Sequence, residues 1–574
     1  MGKPLILNTL SAFRDRLQPA AETSSKCIVV CDGPGCHASG SRDLAEAFKE
    51  ILHKDNLLQH IDLRLTGCLG LCQCGPVVLI LPDTLFYASV TAEDAREIVD
   101  QILQDKPPIE RLLYKDTDSD PGRSVLMDIP FYKHQERRLL ANNAHIRPES
   151  IDDYIRCGGY SALAKILEST SPAEVIEMVK ASGLRGRGGA GFPTGLKWEF
   201  CRKTPGREKY LICNADEGDP GAYMDRAVLE GNPHSVLEGM LIGGYAMGAT
   251  ESIIYCRAEY PIAVQNAKHA LSQARALGLI GKNILGTGFD CEICLKTGAG
   301  AFVCGEETAL IASLEDLPGE PRPKPPFPAQ SGLWGKPTNI NNVETLANIP
   351  LIIANGPEWY SSVGAKKCPG TKIFSLVGKV RNAGLVEVPI GISLRELVFD
   401  IGGGPLPGRE IKAVQIGGPS GGCIPAHLLD LPVDYESLSE AGAIMGSGGV
   451  IVMDDRTCMV DVSKYFLEFL KEESCGKCVP CREGIPRMLE ILTRITHEEG
   501  QEGDIELLIE IGKTVKNASL CGLGQTAANP LLSSIRYFRE EYEAHIKEKK
   551  CPAGVCRKSK RRRVNKPTPL GRIF

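Results

Sequence analysis

The chain has 574 residues, with 66 Lys and Arg against 71 Asp and Glu, for a formal net charge of −5. That length has room for about four domains at ~150 residues each, and the balanced charge excludes any global attraction to nucleic acid or anionic lipid. No uninterrupted apolar run reaches ~18 residues, and the opening MGKPLILNTLSAF lacks a charged region followed by an apolar core and cleavage site. Membrane insertion and export are therefore not expected, which places the chain in the cytoplasm. In that reducing compartment 22 cysteines point to metal binding or redox chemistry rather than disulfides. Scattered ones such as Cys157, Cys201, Cys256 and Cys368 read as small buried hydrophobes.

Residues 1–105 alternate strand and helix signals: KCIVVCDG, then LAEAFKEILHKDNL, PVVLILPD and AEDAREIVDQIL. This small α/β unit carries Cys31 and Cys36 in CDGPGC and Cys68 and Cys72 in CLGLC, both pairs where a strand opens into a loop. The spacing resembles the thioredoxin-like [2Fe-2S] ferredoxin domain, in which two irons take two thiolates each. Cys74 leaves the ligand choice on the second loop open, and Cys27 reads as a packing residue. A CxxC of thioredoxin type is absent, which weakens disulfide exchange as a reading.

Residues 106–150 turn polar and irregular and read as a linker lying over other surfaces. Over residues 151–365, the strands YLICNADE, ESIIYCRAEY and FDCEICLKTG alternate with helical stretches, which implies a mainly parallel, helix-covered sheet. Residues 366–450 suggest a hairpin running into a helix capped by Ser393 and Glu396, as in a compact β-grasp (SLBB-like) domain. Residues 451–548 are helical, and residues 549–574 form a tail with a basic KSKRRR run that reads most simply as solvated.

Within the helical region, Cys475, Cys478 and Cys481 in SCGKCVPC, with Cys521 in LCGLG, are spaced like the ligands of a [4Fe-4S] cluster. Zinc is the rival, although zinc sites more often use two separated CxxC pairs. A second constellation, Cys458, His545, Cys551 and Cys556, could make a Cys3His zinc site fastening the tail; its alternative is two unligated thiols in a frayed terminus.

Residues 182–198, SGLRGRGGAGFPTGLKW, are the densest glycine segment, and Gly186, Gly188 and Gly191 satisfy GxGxxG. The dinucleotide fingerprint needs a strand before it. Here a helix precedes, with Ser171 as N-cap, Pro172 in its first turn and Gly183 as its stop. The glycines nevertheless allow a flat or phosphorylated ligand close to the backbone, and Arg185, Arg187 and Lys197 supply positive charge.

Three further segments accompany it: NADEGDPGAYMDR at 214–226, GAGAFVCGEETAL at 298–310 and RPKPPFPAQSGLWGKPTNINNVET at 322–345. Together these motifs closely resemble the NADH-binding flavoprotein subunit of respiratory complex I and its relatives in soluble hydrogenases and formate dehydrogenases, over roughly 155–530. The resemblance implies FMN held by Gly186, Arg187, Gly188, Lys197, Asn214, Asp216, Glu217, Gly305, Glu306, Asn341, Asn342 and Thr345. It implies NADH laid over the flavin, with Phe192, Phe200 and Phe327 stacking on the adenine and Asp219, Glu307 and Lys324 at the sugars and nicotinamide. Asp219 and Phe302 stand where relatives often carry Glu and Tyr.

The expected architecture is an α/β multidomain chain: a thioredoxin-like ferredoxin domain, a Rossmann-like FMN/NAD domain, a β-grasp domain and a C-terminal helical [4Fe-4S] domain. The expected function is that of a diaphorase subunit, in which hydride from NADH passes to FMN and leaves as single electrons through the clusters to a partner. No side-chain nucleophile or general base is expected. The fused [2Fe-2S] domain resembles the β subunit of soluble multisubunit hydrogenases. The implied partners are a hydrogenase-like iron-sulfur catalytic subunit and a small thioredoxin-like [2Fe-2S] subunit in a heteromultimer. Two cubane clusters cannot be built after CPAGVC, so simple NADH-linked transfer is favoured over bifurcation. A formate dehydrogenase diaphorase, a bifurcating complex and a non-catalytic redox scaffold remain the alternatives.

Overall fold

The computed structural model of the chain describes residues 4–18, 26–116, 122–298 and 301–556. The KSKRRR run and the rest of 557–574 lie outside the described residues, as do Ala299 and Gly300.

The N-terminal unit is a four-stranded sheet in the order Ile61–Thr66, Lys26–Cys31, Val78–Leu81, Leu85–Tyr87, covered by helices Ser41–Lys54 and Ala95–Leu103. Both helices bury their apolar stripes, with Leu44, Phe48 and Leu52 on the first and Ile98, Val99 and Ile102 on the second. Helix Leu7–Leu17 does not join this unit, although residues 1–105 were expected to form one body. Leu10 packs into the core of the larger α/β domain, and Leu5 N donates to Leu277 O at 2.9 Å.

The larger domain is a five-stranded sheet in the order Gly281–Ile284, Phe289–Gly298, Glu251–Arg257, Tyr210–Ala215, Thr338–Asn342. All neighbours are parallel except the antiparallel edge strand Gly281–Ile284. The chain starts in the middle of this sheet, runs outward twice and returns to the other side. The strand order therefore reverses beside Tyr210–Ala215, and a crevice opens past the C-terminal ends of Tyr210–Ala215 and Thr338–Asn342.

A second five-stranded sheet follows in the order Gly384–Pro389, Thr371–Gly378, Gly449–Asp454, Ile411–Ile416, Gly422–Pro425. Its opening hairpin and the parallel pairing of Thr371–Gly378 with Gly449–Asp454 give a β-grasp arrangement. Ser393 N and Oγ both donate to Glu396, closing the capping box. The last strand ends at Asp454, so this sheet runs past the expected limit at 450.

The connector 106–150 proves to be an adhesive rather than a spacer. Phe131 and Tyr132 are 0% and 2% exposed and share one core with the N-terminal unit and the β-grasp sheet. Burying Phe131 alone contributes about 2–3 kcal/mol relative to exposure. Glu387 on the sheet accepts the backbone N–H groups of Arg138, Leu139 and Leu140 at 2.9–3.0 Å. Helices Met459–Glu472, Val479–Thr496, Asp504–Ala518 and Asn529–Glu543 form the C-terminal bundle. No helix among the described residues is long and apolar enough to cross a membrane.

Candidate functional site

The glycine segment lies between helices Pro172–Ala181 and Thr194–Lys203, not after a strand. Gly186 N donates to Phe192 O at 2.9 Å, which closes it into a tight loop. Four separate stretches meet around it at the strand-order reversal. A Cβ on Gly188 would come within 2.9 Å of Asn342 Cβ, and Arg187 N donates to Thr345 Oγ1 at 2.8 Å. Lys197 reaches Ile340 O at 2.6 Å and pairs with Glu307. Asn214 Nδ2 donates to Gly305 O at 3.0 Å, joining the NADE segment to the CGEE loop.

Arg187, expected among the residues that hold the flavin, turns its guanidinium into the protein. It is fully buried, and Nε donates to Thr371 O, Nη1 to Arg185 O, and Nη2 to Tyr360 Oη and Pro369 O, at 2.7–3.1 Å. It staples the glycine loop to the base of the β-grasp sheet, leaving only its backbone at the crevice.

Other expected contacts also serve the fold. Glu217 accepts from Met224 N, Asp225 N and Arg226 N, capping helix Met224–Gly231. Asn342 caps helix Val343–Asn355 at Thr345 N, Glu306 caps helix Glu307–Leu314, and Asn341 accepts from Trp198 Nε1 at 2.8 Å. Lys324 pairs with Glu306 at 2.8 Å.

Asp216 is different: its side chain is 2% exposed and Oδ2 has no hydrogen-bond partner. Burial pushes its carboxyl up to about 7 against the opposing pull of Arg257. A buried oxygen without a protein partner beside the glycine loop is open to a bound polar ligand. Among the described residues Phe192 and Phe200 stand half-exposed with ring centroids 6.4 Å apart, and Phe327 is 56% exposed without a ring contact to either.

Three contributors escaped the sequence reading. Ser447 donates to Asp219, whose carboxyl burial raises to about 6, and Gly446 faces Gly189. Tyr435 donates to Gly186 O at 2.8 Å and lies under the Arg185 guanidinium. The runs IGGPSGG and GSGG were the available signal, since backbone packed against a glycine loop must itself lack side chains.

The expected [2Fe-2S] cysteines come together. Cys31, Cys36 and Cys68 are buried, Cys68 Sγ lies 3.8 Å from Cys72 Sγ, and Cys31 accepts from the thiols of Cys36 and Cys68, which lowers its pKa well below the usual thiol range. A Cβ on Gly33 would strike Cys68 Cβ at 2.8 Å, and one on Gly75 would strike Cys36 Sγ at 2.7 Å, so the glycines leave space around the sulfurs. Four clustered thiols in such a cradle fit a two-iron core. Cys74 hydrogen-bonds to none of the four, and Cys27 turns away to Asp62 at 3.6 Å.

Cys475, Cys478, Cys481 and Cys521 line one cavity together with Val303 and Pro321. Cys478 and Cys521 stand at the starts of helices Val479–Thr496 and Gly522–Ala527. This all-sulfur donor set around one void fits a cubane cluster. Val303 belongs to the same loop as Gly305, which meets the NADE segment, so a few residues span from crevice to cluster cavity. Phe302 N donates to Glu473 at 2.7 Å, and its ring packs edge-on to Phe469.

Cys458, His545, Cys551 and Cys556 also converge, with all donor atoms within 4.8 Å of one another. His545 Nε2 lies 3.6 Å from Cys458 Sγ and 3.4 Å from Cys556 Sγ, and the two sulfurs are 3.6 Å apart. Tetrahedral zinc separates such donors by roughly 3.5–3.8 Å, given bonds of about 2.3 Å to sulfur and about 2.0 Å to nitrogen. His545 Nδ1 is engaged by Glu541 O at 2.6 Å, which turns Nε2 toward the sulfurs.

Residues 179–351 match the Nuo51 FMN-binding domain, residues 461–545 the NADH-ubiquinone oxidoreductase-F iron-sulfur binding region, and residues 17–103 the thioredoxin-like [2Fe-2S] ferredoxin. The chain is 59% identical over 424 residues to the NADP-reducing hydrogenase subunit HndC of Solidesulfovibrio fructosivorans, covering 74% of this chain and 86% of that one. It is 46% identical over 404 residues to the F subunit of the NADH-quinone oxidoreductase of Escherichia coli, covering 70% and 91%. A chain of the NAD+-reducing [NiFe]-hydrogenase in its H2-reduced state superposes with a TM-score of 0.64 at 30% identity, covering 94% of this chain and 87% of that one. The fused N-terminal ferredoxin unit, the flavin domain and the iron-sulfur bundle thus place this chain in the family of NADH-binding, complex I 51 kDa-type flavoprotein subunits.

Proposed function

We propose that the chain is the NAD(H)-linked diaphorase subunit of a soluble, multisubunit hydrogenase. The observation that carries this reading is the loop through Val303 and Gly305. One side of it lines the Cys475–Cys521 cavity, and the other is bonded to Asn214 at the strand-order reversal. FMN bound in that crevice supplies the conversion between a hydride and single electrons.

The chain's own residues hold and shield. The backbone at Gly186, Gly188 and Gly305 admits the ring system, and the buried Asp216 oxygen is the acceptor left for it. Phe192 and Phe200 offer an apolar platform at the mouth, and Lys197, Glu307 and Lys324 form a polar rim for the nicotinamide nucleotide. The pairing of Glu307 with Lys197 leaves Asp219 as the carboxylate that opposes a 2′-phosphate. Cys31, Cys36, Cys68 and Cys72 hold the [2Fe-2S] centre, and Cys475, Cys478, Cys481 and Cys521 the [4Fe-4S] centre. Zinc held by Cys458, His545, Cys551 and Cys556 ties the C-terminal turn to the bundle. The partners are a hydrogenase-like iron-sulfur subunit and a small thioredoxin-like [2Fe-2S] subunit, and the complex works in the cytoplasm.

The test is anaerobic purification of the full chain. It is expected to be yellow-brown, to carry FMN and to reduce a high-potential artificial acceptor such as ferricyanide with NADH, and only weakly with NADPH. Clusters without FMN and without acceptor reduction after reconstitution would establish a redox scaffold instead, and preferential use of NADPH would overturn the NAD(H) assignment.

A further inference from the structure

The [2Fe-2S] cysteines belong to the N-terminal sheet unit, yet a phenol that meets one of them comes from outside it. Tyr223, in the flavin domain at the start of helix Met224–Gly231, donates its hydroxyl to Cys72 Sγ at 3.8 Å.

The ligand loop is clamped against outside elements as well. Asn143 Nδ2 donates to Cys68 O at 2.8 Å, Leu385 N to Gly70 O at 2.8 Å, and Gln73 N to Ala383 O at 3.0 Å. Gly67 faces Gly231 so closely that a Cβ on Gly67 would lie 2.3 Å from Gly231 Cα. Tyr223 is held as firmly, because Glu217 takes the N–H groups of the next three residues.

We propose that Tyr223 sets the reduction potential of the [2Fe-2S] centre from outside the ferredoxin-like unit. The proposal rests on the assignment of Cys31, Cys36, Cys68 and Cys72 as its ligands. Reduction adds one electron and converts one ferric iron to ferrous, and no bond is made or broken. The added negative charge spreads onto the ligand sulfurs, so an O–H donor to Cys72 Sγ favours the reduced form and raises the potential. The electron comes from NADH through the flavin in function, and from a chemical reductant in the assay.

The experiment is an EPR-monitored titration of full-length Tyr223→Phe with dithionite and mediators, which needs no NADH. The expected result is a shift of about tenfold toward the oxidised form, or ~59 mV lower for a one-electron couple. The [4Fe-4S] midpoint stays in place. A Tyr223→Phe midpoint equal to wild type overturns the proposal. Should the variant lose its centre, wild-type chain grown on 3-fluorotyrosine replaces it: a stronger phenol donor raises the midpoint, and an unmoved one overturns the proposal. Wild-type protein without a [2Fe-2S] signal would instead defeat the ligand assignment itself, and the proposal with it.

Discussion

Replacing Lys372 with Met tests how the flavin segments are fastened to the β-grasp sheet. Lys372 is fully buried; its ammonium pairs with Glu344, itself 1% exposed, and reaches Ile373 O at 3.0 Å. Glu344 sits between Asn342 and Thr345, its other oxygen accepts from Ile373 N at 2.9 Å, and its own N–H donates to Asp225 at 3.2 Å. Burial pushes the Asp225 carboxyl well above the usual range, Glu217 and Glu344 push it further, and Lys372 opposes them. Glu217 is raised to about 7, again by burial, with Lys372 among the opposing charges. One ammonium therefore balances three carboxyls. Coulomb attraction at roughly 3 Å and an effective dielectric of about 20 is about 5 kcal/mol, and breaking a buried pair by removing one partner costs about 3–5 kcal/mol. Met fills most of the lysine volume, so the loss is electrostatic. In a thermal scan followed by fluorescence of released FMN, Lys372→Met lowers the midpoint on the order of 10 °C. Adding Glu344→Gln restores at least half of that. The sign with pH also follows. Below about pH 7 Glu217 keeps its proton in the fold and the lost cation matters less; above it the extra negative charge is uncompensated. The deficit therefore grows from pH 6 to pH 8. A wild-type midpoint in the single variant, a double variant no better than the single, or a deficit that shrinks as pH rises would refute the reasoning.

Three further outcomes are expected. Cys556→Ser lowers bound zinc from one per chain toward none by elemental analysis and leaves iron unchanged; retention of zinc would contradict the Cys3His site. Cys72→Ala abolishes the [2Fe-2S] EPR signal, whereas Cys74→Ala preserves it, because, of these two, only Cys72 lies at sulfur contact distance from Cys68. Phe200→Ala raises KM for NADH about three- to tenfold, equivalent to the roughly 0.5–1.5 kcal/mol of an aromatic stacking contact. The rate at saturating NADH stays near wild type, and a fall in that rate with KM unchanged would place Phe200 elsewhere.

Local sequence carried the elements whose determinants are local. The Ser171 N-cap, which the structure completes with Ser171 N donating to Glu174 at 2.7 Å, and the Gly183 stop at φ +69° were legible because a helix end is decided within four residues. The cysteine triplet was legible for the same reason, since its three thiols sit on one turn. What could not be read were contacts bridging long separations. Arg187 bonds to Tyr360 and Pro369, 173 and 182 positions away, and Ser447 bonds to Asp219 across 228. An arginine in a glycine loop looks the same in sequence whether its guanidinium meets a ligand or a set of buried carbonyls. Only the three-dimensional return of the 360–371 segment decides it. The helix Leu7–Leu17 was likewise assigned by adjacency in the chain, while its apolar face found the larger domain.

The division of labour in the crevice follows from the same distinction. Side chains that the family resemblance assigned to the flavin are largely engaged in holding loops: Glu217 as a cap, Asn342 as a cap, Asn341 under Trp198, Arg187 as a staple. A planar ring system needs backbone within van der Waals reach and that backbone must not move, since a shift on the order of 1 Å degrades transfer geometry. Glycine provides the approach but not the rigidity. The polar side chains fix the glycine backbone through bonds made elsewhere, which leaves few atoms free to meet the ligand directly. Asp216 Oδ2 is such an atom, and its cost of burial without a partner is sustained by the surrounding structure until a ligand arrives.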